Sequence, residues 1–382
     1  MEIKANKVKL TFIRKLACSC FLLSLLIFVC LSQSDSSKIL ADAASGQTSE
    51  GLFPIVKNGK FGFIDKNGSV RIEPRYDAVQ DFSEGLALVT LNRKKFFIDM
   101  KGTIAIQPEN FEPINVFNNG RARGNITTRS PYTKGYIDKT GKIVIDDSRM
   151  GGACWFSEGL ACVVTGKWGF IDTSGKFVIP PQFDEASPFS EGLASVTFWD
   201  QSKASRHKHG FIDKTGTVVI KPLFDIVQRF SEGVAAVGIK KGVDGYQFGF
   251  IDHAGLMIIK PQFDWTYSFN EGIAAVKVGE KWGYINKHGE MIIKPQFDKA
   301  EEFSDGLAAA AIKGKWGFID KSGAFVIEPQ FNEAHSFISG LAFVKVGSYD
   351  ANAVIDVIGG IDTAGKWGYI NKSGKYIWQP TN

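Results

Sequence analysis

Along the chain, short runs in which apolar residues alternate with small or polar ones are broken every few positions by turn residues. Residues 314–331 read GKWGFIDKSGAFVIEPQF. Here 316–320 reads as one strand, Asp320 to Gly323 as a D-x-x-G turn, and 325–327 as a second strand. Pro329 ends it, because proline cannot donate to a ladder. The run before this phrase, 307–312, reads as a strand joined to it by a tight Gly-Lys turn. The unit is therefore predicted to be a meander of three short antiparallel strands. Both faces of each strand carry apolar residues, so each small sheet must be covered on both sides. The stretch 297–306 between units, with Ala300 and Phe303 as packing residues, predicts a helical turn.

The phrase recurs. Its Trp-Gly glycine, or the residue in its place, falls at Gly62, Phe96, Gly135, Gly169, Gly210, Gly249, Gly283, Gly317 and Gly368, most often 34 residues apart. Nine copies at such a period mark a repeat array, in which neighbouring units bury a core that none could make alone. These residues resemble the WG-repeat, or KWG-repeat, family, whose consensus runs roughly GKWGFIDKTGKxVIxPQFDxAxxFSEGLAxV. The resemblance implies a tandem β-rich array of a kind found mostly in bacterial proteins, many of them exported, and it implies no particular activity. The fold expected is all-β: nine three-stranded meanders stacked as an open superhelix or solenoid, with a closed propeller-like ring as the alternative. The array occupies 49–382, entering on a first-strand phrase at 49–56 and leaving on a third-strand phrase at 376–380. Nothing in that frame makes the two ends share a unit.

Ahead of the array, Lys4, Lys7, Lys9, Arg14 and Lys15 precede an uncharged run at 16–31 and a polar stretch at 32–49. This is the layout of an export signal, with a small-x-small pattern at Ala41-Asp42-Ala43. Residues 1–43 are read as an export signal, or as an N-terminal anchor with a polar linker. If 16–31 is an uncleaved anchor, it is near the lower length limit for crossing a bilayer. The body is expected to be periplasmic, cell-surface or extracellular, with membrane contact only through that segment.

The chain carries net +5, but residues 1–43 hold six Lys/Arg against three Asp/Glu, which leaves the body at +2. That balance excludes a nucleic-acid footprint. Two local basic clusters, Arg121, Arg123 and Arg129, and Arg206-His207-Lys208-His209, read as solvated loops, with an anionic surface as the alternative. Three of the five cysteines sit in the leader, leaving Cys154 and Cys162. A disulfide framework is excluded. The two are read as buried or free thiols, with one bridge across the turn at 157–159 as the alternative.

Comparing the copies tests their chemistry. The aspartate closing WGFID becomes Asn286 and Asn371 in two copies. An amide cannot do acid–base work, so an Asx-type turn is expected. The aspartate of QFD becomes Asn332, and the glutamate of SEG becomes Asp305, Ser339 or Asn119, so these also read as structural, the latter as a turn or capping residue. The five histidines show no metal-ligand spacing, and no nucleophile, phosphate-loop or dinucleotide signature appears. No cofactor, metal or catalytic residue is assigned, and an enzyme is not expected.

Copies lengthen in four places, around 124–133, 199–208, 240–247 and 347–366, always between the first and second strands. Insertions confined to one rim suggest a contact surface. The reading is a non-catalytic exported scaffold for binding or adhesion at the cell envelope, its partner a protein or an envelope polysaccharide; a purely structural envelope spacer is the alternative, and a hydrolase on a β-repeat scaffold, which would need a cleft with convergent acids, is the third reading. The ligand-contact candidates are Trp168, Trp282, Trp316 and Trp367, provided that they are exposed along one groove. Replacement by Phe61, Phe248, Lys95, Lys134 or His209 in other copies reads instead as packing.

Overall fold

A computed structural model describes residues 51–381, apart from 129–132, 147–149, 200–206, 243–244, 348–356, 359–360 and 363–365. The leader and the centres of the long insertions lie outside the described residues. Every regular element described is a strand. Nine small antiparallel sheets follow one another, here called blades 1–9, at 52–76, 78–106, 111–146, 152–183, 185–224, 226–263, 265–297, 299–331 and 333–381. A separate two-stranded ribbon, Val357–Ile358 with Ile361–Asp362, belongs to the last insertion.

Blades 2–9 have four strands, one more than the sequence pattern indicated. In blade 8 the order is Lys299–Ala300, Ala308–Ile312, Lys315–Ile319 and Phe325–Phe331. The stretch expected to form a helical turn supplies instead the two-residue strand Lys299–Ala300, which pairs with Ala311 and Ala310. Two residues are too few to show a period, which is why the pattern missed it. Blade 1 has three described strands, Leu52–Lys57, Lys60–Asp65 and Val70–Tyr76.

The glycine of the Trp-Gly step is fixed by the sheet itself. A Cβ on Gly169 would lie 2.7 Å from the Ile179 carbonyl oxygen, and one on Gly283 would lie 2.5 Å from that of Ile293. The last strand bulges there, and its backbone occupies the side-chain space. Blade 2, which has Phe96 at this position, keeps only Ile104–Ile106 as its last strand, three residues instead of the usual seven.

The D-x-x-G turn is an Asx turn as expected. Asp172 Oδ1 accepts from the N–H groups of Ser174 (2.9 Å) and Lys176 (3.1 Å). Asn286 Oδ1 accepts equally from His288 and Glu290, both at 3.0 Å. The hydroxyl of Ser174 also donates to Asp172 and, against some desolvation, holds its carboxyl below the ordinary range.

Neighbouring blades are joined in three ways. One apolar cluster fills each junction. In blades 1–8 the ring of the WGF or WGY step, or its equivalent, meets the phenylalanine of the next copy's FSEG at a steep angle, as in Phe63–Phe82 at 4.9 Å, Phe170–Phe189 at 4.9 Å and Phe318–Phe337 at 4.7 Å. The third link is the S-E-G motif. Its Glu and Gly both have positive φ (53° and 82° at Glu84 and Gly85), and Ser83 and Leu86 exchange backbone bonds around them. This is a two-residue hairpin of the type I′ kind, which favours Asn or Gly over Glu. The glutamate is there for what it reaches. Glu232 accepts from the N–H of Gly272 in the next blade (3.0 Å) and pairs with Lys287 of that blade's Asn286–Gly289 turn (3.2 Å). Glu84, Glu158 and Glu271 repeat both contacts. The Ser231 hydroxyl donates to the Phe269 carbonyl across the same junction (2.8 Å). The motif is thus an inter-blade clasp, a role finer than the turn or cap that its substitutions suggested.

Between the two expected arrangements the chain takes the closed ring and not the open superhelix. Phe53, Ile55 and Ile64 of blade 1 pack against Leu341 and Tyr369 of blade 9, with Phe343, Ile377 and Trp378 beside them. Each sheet is a wedge covered on both faces, and nine wedges bring the ends together. No strand is shared between first and last blades.

Candidate functional site at the ring axis

In blades 2–9 the short first strand, two residues long except for Phe111–Pro113 of blade 3, forms one edge of the sheet. In a ring, residues of blades n and n+2 can meet only near the axis, since blade n+1 separates them elsewhere. The Arg229 guanidinium of blade 6 lies 5.7 Å from the centre of the Trp155 ring of blade 4. The Asp81 carboxylate of blade 2 likewise acts on the Tyr369 hydroxyl of blade 9. Both Trp155 and Arg229 immediately precede the buried phenylalanine of an FSEG-type motif, so this position lines the axis in every copy.

The two residues before that phenylalanine are Gln80-Asp81, Asn115-Val116, Cys154-Trp155, Ser187-Pro188, Gln228-Arg229, Tyr267-Ser268, Glu301-Glu302 and His335-Ser336. Some couple neighbours: Gln80 Nε2 donates to the Ile114 carbonyl (3.0 Å), Gln228 Nε2 to that of Thr266 (2.8 Å), and the Ser268 hydroxyl to Gln228 Oε1 (3.2 Å). The Ser268 N–H donates to Glu302 Oε1 (3.2 Å). Burial, with Glu302 beside it and Lys299 opposing, pushes the Glu301 carboxyl up to about 7. Burial also raises Asp81 and Tyr267 and lowers His335. Tyr267 stacks on Trp282, with centroids 5.2 Å apart and 18° between planes.

Cys154 and Cys162 form a disulfide, with Cα atoms 5.2 Å apart, so the free-thiol reading is overturned and the single bridge stands. The missed signal was the hidden strand. Gly152–Ala153 pairs with Val164 and Val163, and the Cys154 N–H donates to the Cys162 carbonyl (2.8 Å), which places the two side by side. The bridge fixes the backbone next to Trp155 at the axis.

The arginine cluster is not a pair of solvated loops. Arg121 Nε donates to the Thr173 carbonyl of the next blade (3.0 Å), and Arg123 donates to that of Ala153. Together they stand in for the weaker clasp at this junction, where Asn119 replaces the glutamate but still accepts from Gly159 N–H (2.8 Å). Arg129 and Arg206 lie outside the described residues. His209 Nδ1 is 3.0 Å from the Thr197 hydroxyl, and burial lowers its pKa.

Trp168, Trp282, Trp316 and Trp367 stand at equivalent points of blades 4, 7, 8 and 9, near the turn between the second and third strands. Trp316 and Trp367 are buried, at 9% and 3% exposure, and the other two are half-buried. The structure does not bring them together. The four lengthened connections leave from this same end, opposite to the end carrying the clasps and the axial pairs. Among the described residues no three His, Cys, Asp or Glu side chains are grouped to hold a metal ion.

Fold and axis define a closed β-propeller built from nearly identical blades. The sequence matches the family described as WG containing repeat at 61–94, 168–198, 210–241, 248–282, 282–316 and 316–349, just over half its length. The chain belongs to that family. No curated protein matches the sequence. Among solved structures, a quinonprotein alcohol dehydrogenase-like protein from Bacteroides thetaiotaomicron is similar at 11% identity and TM-score 0.37, over 88% of this chain and 78% of that one. Puromycin hydrolase is similar at 11% and 0.37, over 73% of this chain and 55% of that one. An uncharacterized protein from Listeria monocytogenes is similar at 12% and 0.34, over 73% and 94%.

Proposed function

We propose that this protein is an exported, non-catalytic binding scaffold whose partner, a protein or an envelope polysaccharide, is engaged at the axial mouth. One observation carries the reading. Residues that recur from copy to copy are committed to the fold: the Trp-Gly glycine to the bulge, the D-x-x-G aspartate to its own turn, the S-E-G residues to the clasp. The axial pair differs in all eight described copies, and its second member, the position that the Trp155–Arg229 contact places near the axis, is by turns an aromatic ring (Trp155), a cation (Arg229) and an acid (Asp81, Glu302). A ring that repeats everywhere else is asymmetric at its centre, and asymmetry is what a specific contact requires. The leader, read as an export signal, supports a partner in the envelope or beyond it.

The test is a glycan array and a pull-down from envelope fractions, run with the native protein and with Trp155→Ala and Arg229→Ala. Capture of a defined glycan or protein that either substitution weakens at least ten-fold is the expected result. Capture indifferent to both, or turnover of a substrate by the purified protein, defeats the proposal.

A further inference from the structure

The outer wall of the ring is not uniform. Ten of the fourteen exposed large apolar side chains among the described residues belong to blades 5–7, a third of the ring. Seven of those ten lie on, or directly before, the last strands of these blades, Val218–Phe224, Met257–Phe263 and Met291–Phe297. Leu223 and Leu256 are the most open, at 63% and 66%. The three strands share one surface. Gly255 of blade 6, just ahead of Leu256, packs on Ile220 of blade 5, where a Cβ would lie 3.0 Å from the isoleucine side chain, and Gly289 of blade 7 packs on Ile259 of blade 6 in the same way (3.3 Å).

This surface also has a sign. Lys221, Lys260 and Lys294 follow the buried isoleucine of each strand, all three are exposed, and no acid stands on the three strands. Other copies have Glu73, Gln107, Asp146, Pro180, Glu328 or Gln379 at that position. Among the described residues none of the three lysines is in an ion pair. Glu290, just ahead of Met291, has its carboxylate engaged by the Asn286 amide (2.7 Å).

Aliphatic side chains and lysines without an exposed ring are the reverse of a protein interface, which is enriched in aromatic residues and Arg and depleted in Lys. A sugar finds no flat face here, since Phe224, Phe263 and Phe297 are buried. An added strand is disfavoured too, because Pro222, Pro261 and Pro295 remove a donor from each edge. A bilayer interface suits the set: lysine stems lie along apolar surface, anionic headgroups take the ammonium, and the upper acyl chains take the aliphatic groups. We propose that the outer wall of blades 5–7 docks on an anionic lipid bilayer surface. The contact is shallow, because edge strands need water or headgroups as partners for their outward backbone groups. It is additional to the membrane contact expected of 16–31. It also sets the ring on its side, with the axis along the bilayer and the axial mouth open.

The experiment uses the full chain with vesicles of phosphatidylglycerol and phosphatidylcholine in equal parts, and with vesicles of phosphatidylcholine alone. Amide hydrogen exchange is the readout, since it locates the contact whatever 16–31 does. Slower exchange is expected at 218–224, 257–263 and 291–297 on the anionic vesicles only, with no change at 325–331, where Glu328 stands in the lysine's place. Replacing Lys221, Lys260 and Lys294 together by Gln should remove that protection, at about five-fold in the contact equilibrium for each lysine, and raised salt should do the same. Leu223→Ser with Leu256→Ser should weaken the contact by at least about ten-fold and leave urea unfolding unchanged, both side chains being mostly exposed already. Absence of protection on anionic vesicles, equal protection at 325–331, or protection that survives the lysine replacements overturns the inference. So does equal protection by dissolved polyglutamate or dextran sulfate that ignores the leucine replacements, which would assign the patch to an acidic protein or glycan.

Discussion

Glu301→Gln should stabilise the protein, and most strongly above neutral pH. The carboxyl is desolvated, with Glu302 adjacent, Lys299 partly compensating, and Tyr267 and Tyr284 within electrostatic reach. Its pKa rises from 4.5 to about 7 on folding. A raised acid binds its proton more tightly folded than unfolded, so the folded state loses stability as pH climbs from about 4.5 to about 7 and stays penalised above that. A shift of about 2.5 units at about 1.36 kcal/mol each gives a penalty near 3 kcal/mol at pH 8.5, and about 1 kcal/mol at pH 5. Gln keeps the shape and removes the charge, while the backbone carbonyl of Glu301 continues to accept from the Tyr284 hydroxyl (2.9 Å). Urea unfolding of both proteins at the two pH values isolates the difference, because all other titrations cancel between variant and native chain. The expected gain is about three times larger at pH 8.5 than at pH 5. A gain equal at both, or a loss at pH 8.5, refutes the argument.

Gly283→Ala should prevent blade 7 from forming its full last strand, because the new Cβ overlaps the Ile293 carbonyl at 2.5 Å; loss of soluble protein, or a loss of more than about 3 kcal/mol in urea, is expected. Replacing Cys154 and Cys162 together by Ala should cost about 2.5 kcal/mol, the loop-closure value for a separation of eight residues, with matching loss when the native protein is reduced. Glu232→Gln keeps an acceptor for the Gly272 N–H but not the pair with Lys287, so thermal unfolding should register under about 1 kcal/mol. Asp172→Asn should be nearly neutral at pH 7, since Asn286 and Asn371 make the same turn. The native Asp172, Asp213 and Asp320 have folded pKa values held below 3.8, so their contribution is present above that value and fades as pH falls through the folded values; acid titration of unfolding should show Asp172→Asn with the shallower loss.

The sequence made the repeat, its copy number, the three long strands and the D-x-x-G turn readable, because each depends on contacts within about 34 residues that recur nine times. It hid whatever depends on a neighbour. The inner strand Lys299–Ala300 is defined by its partner Ala310–Ala311 and has no period of its own. The glutamate of S-E-G looked like a turn residue because its acceptor role is met one copy later, at Gly272 and Lys287. Ring closure rests on Phe53, a single departure from alanine whose partner Tyr369 is over three hundred residues away. The axial mouth was invisible for the same reason: Trp155 and Arg229 become neighbours only once the wedge angle of blade 5 is known.

The joint between blades 9 and 1 also sets an order of events during synthesis. Blades fold as units when they emerge, N-terminal first, and each of blades 2–8 finds its next neighbour within one further phrase. Blade 1 does not. Phe53, Ile55 and Ile64 stay uncovered until Leu341 and Tyr369, almost three hundred residues further on, have been made. The first blade to form is therefore the last to be finished, and a chain cut short anywhere in its final phrase leaves that oldest surface bare for chaperones, proteases or another chain to find.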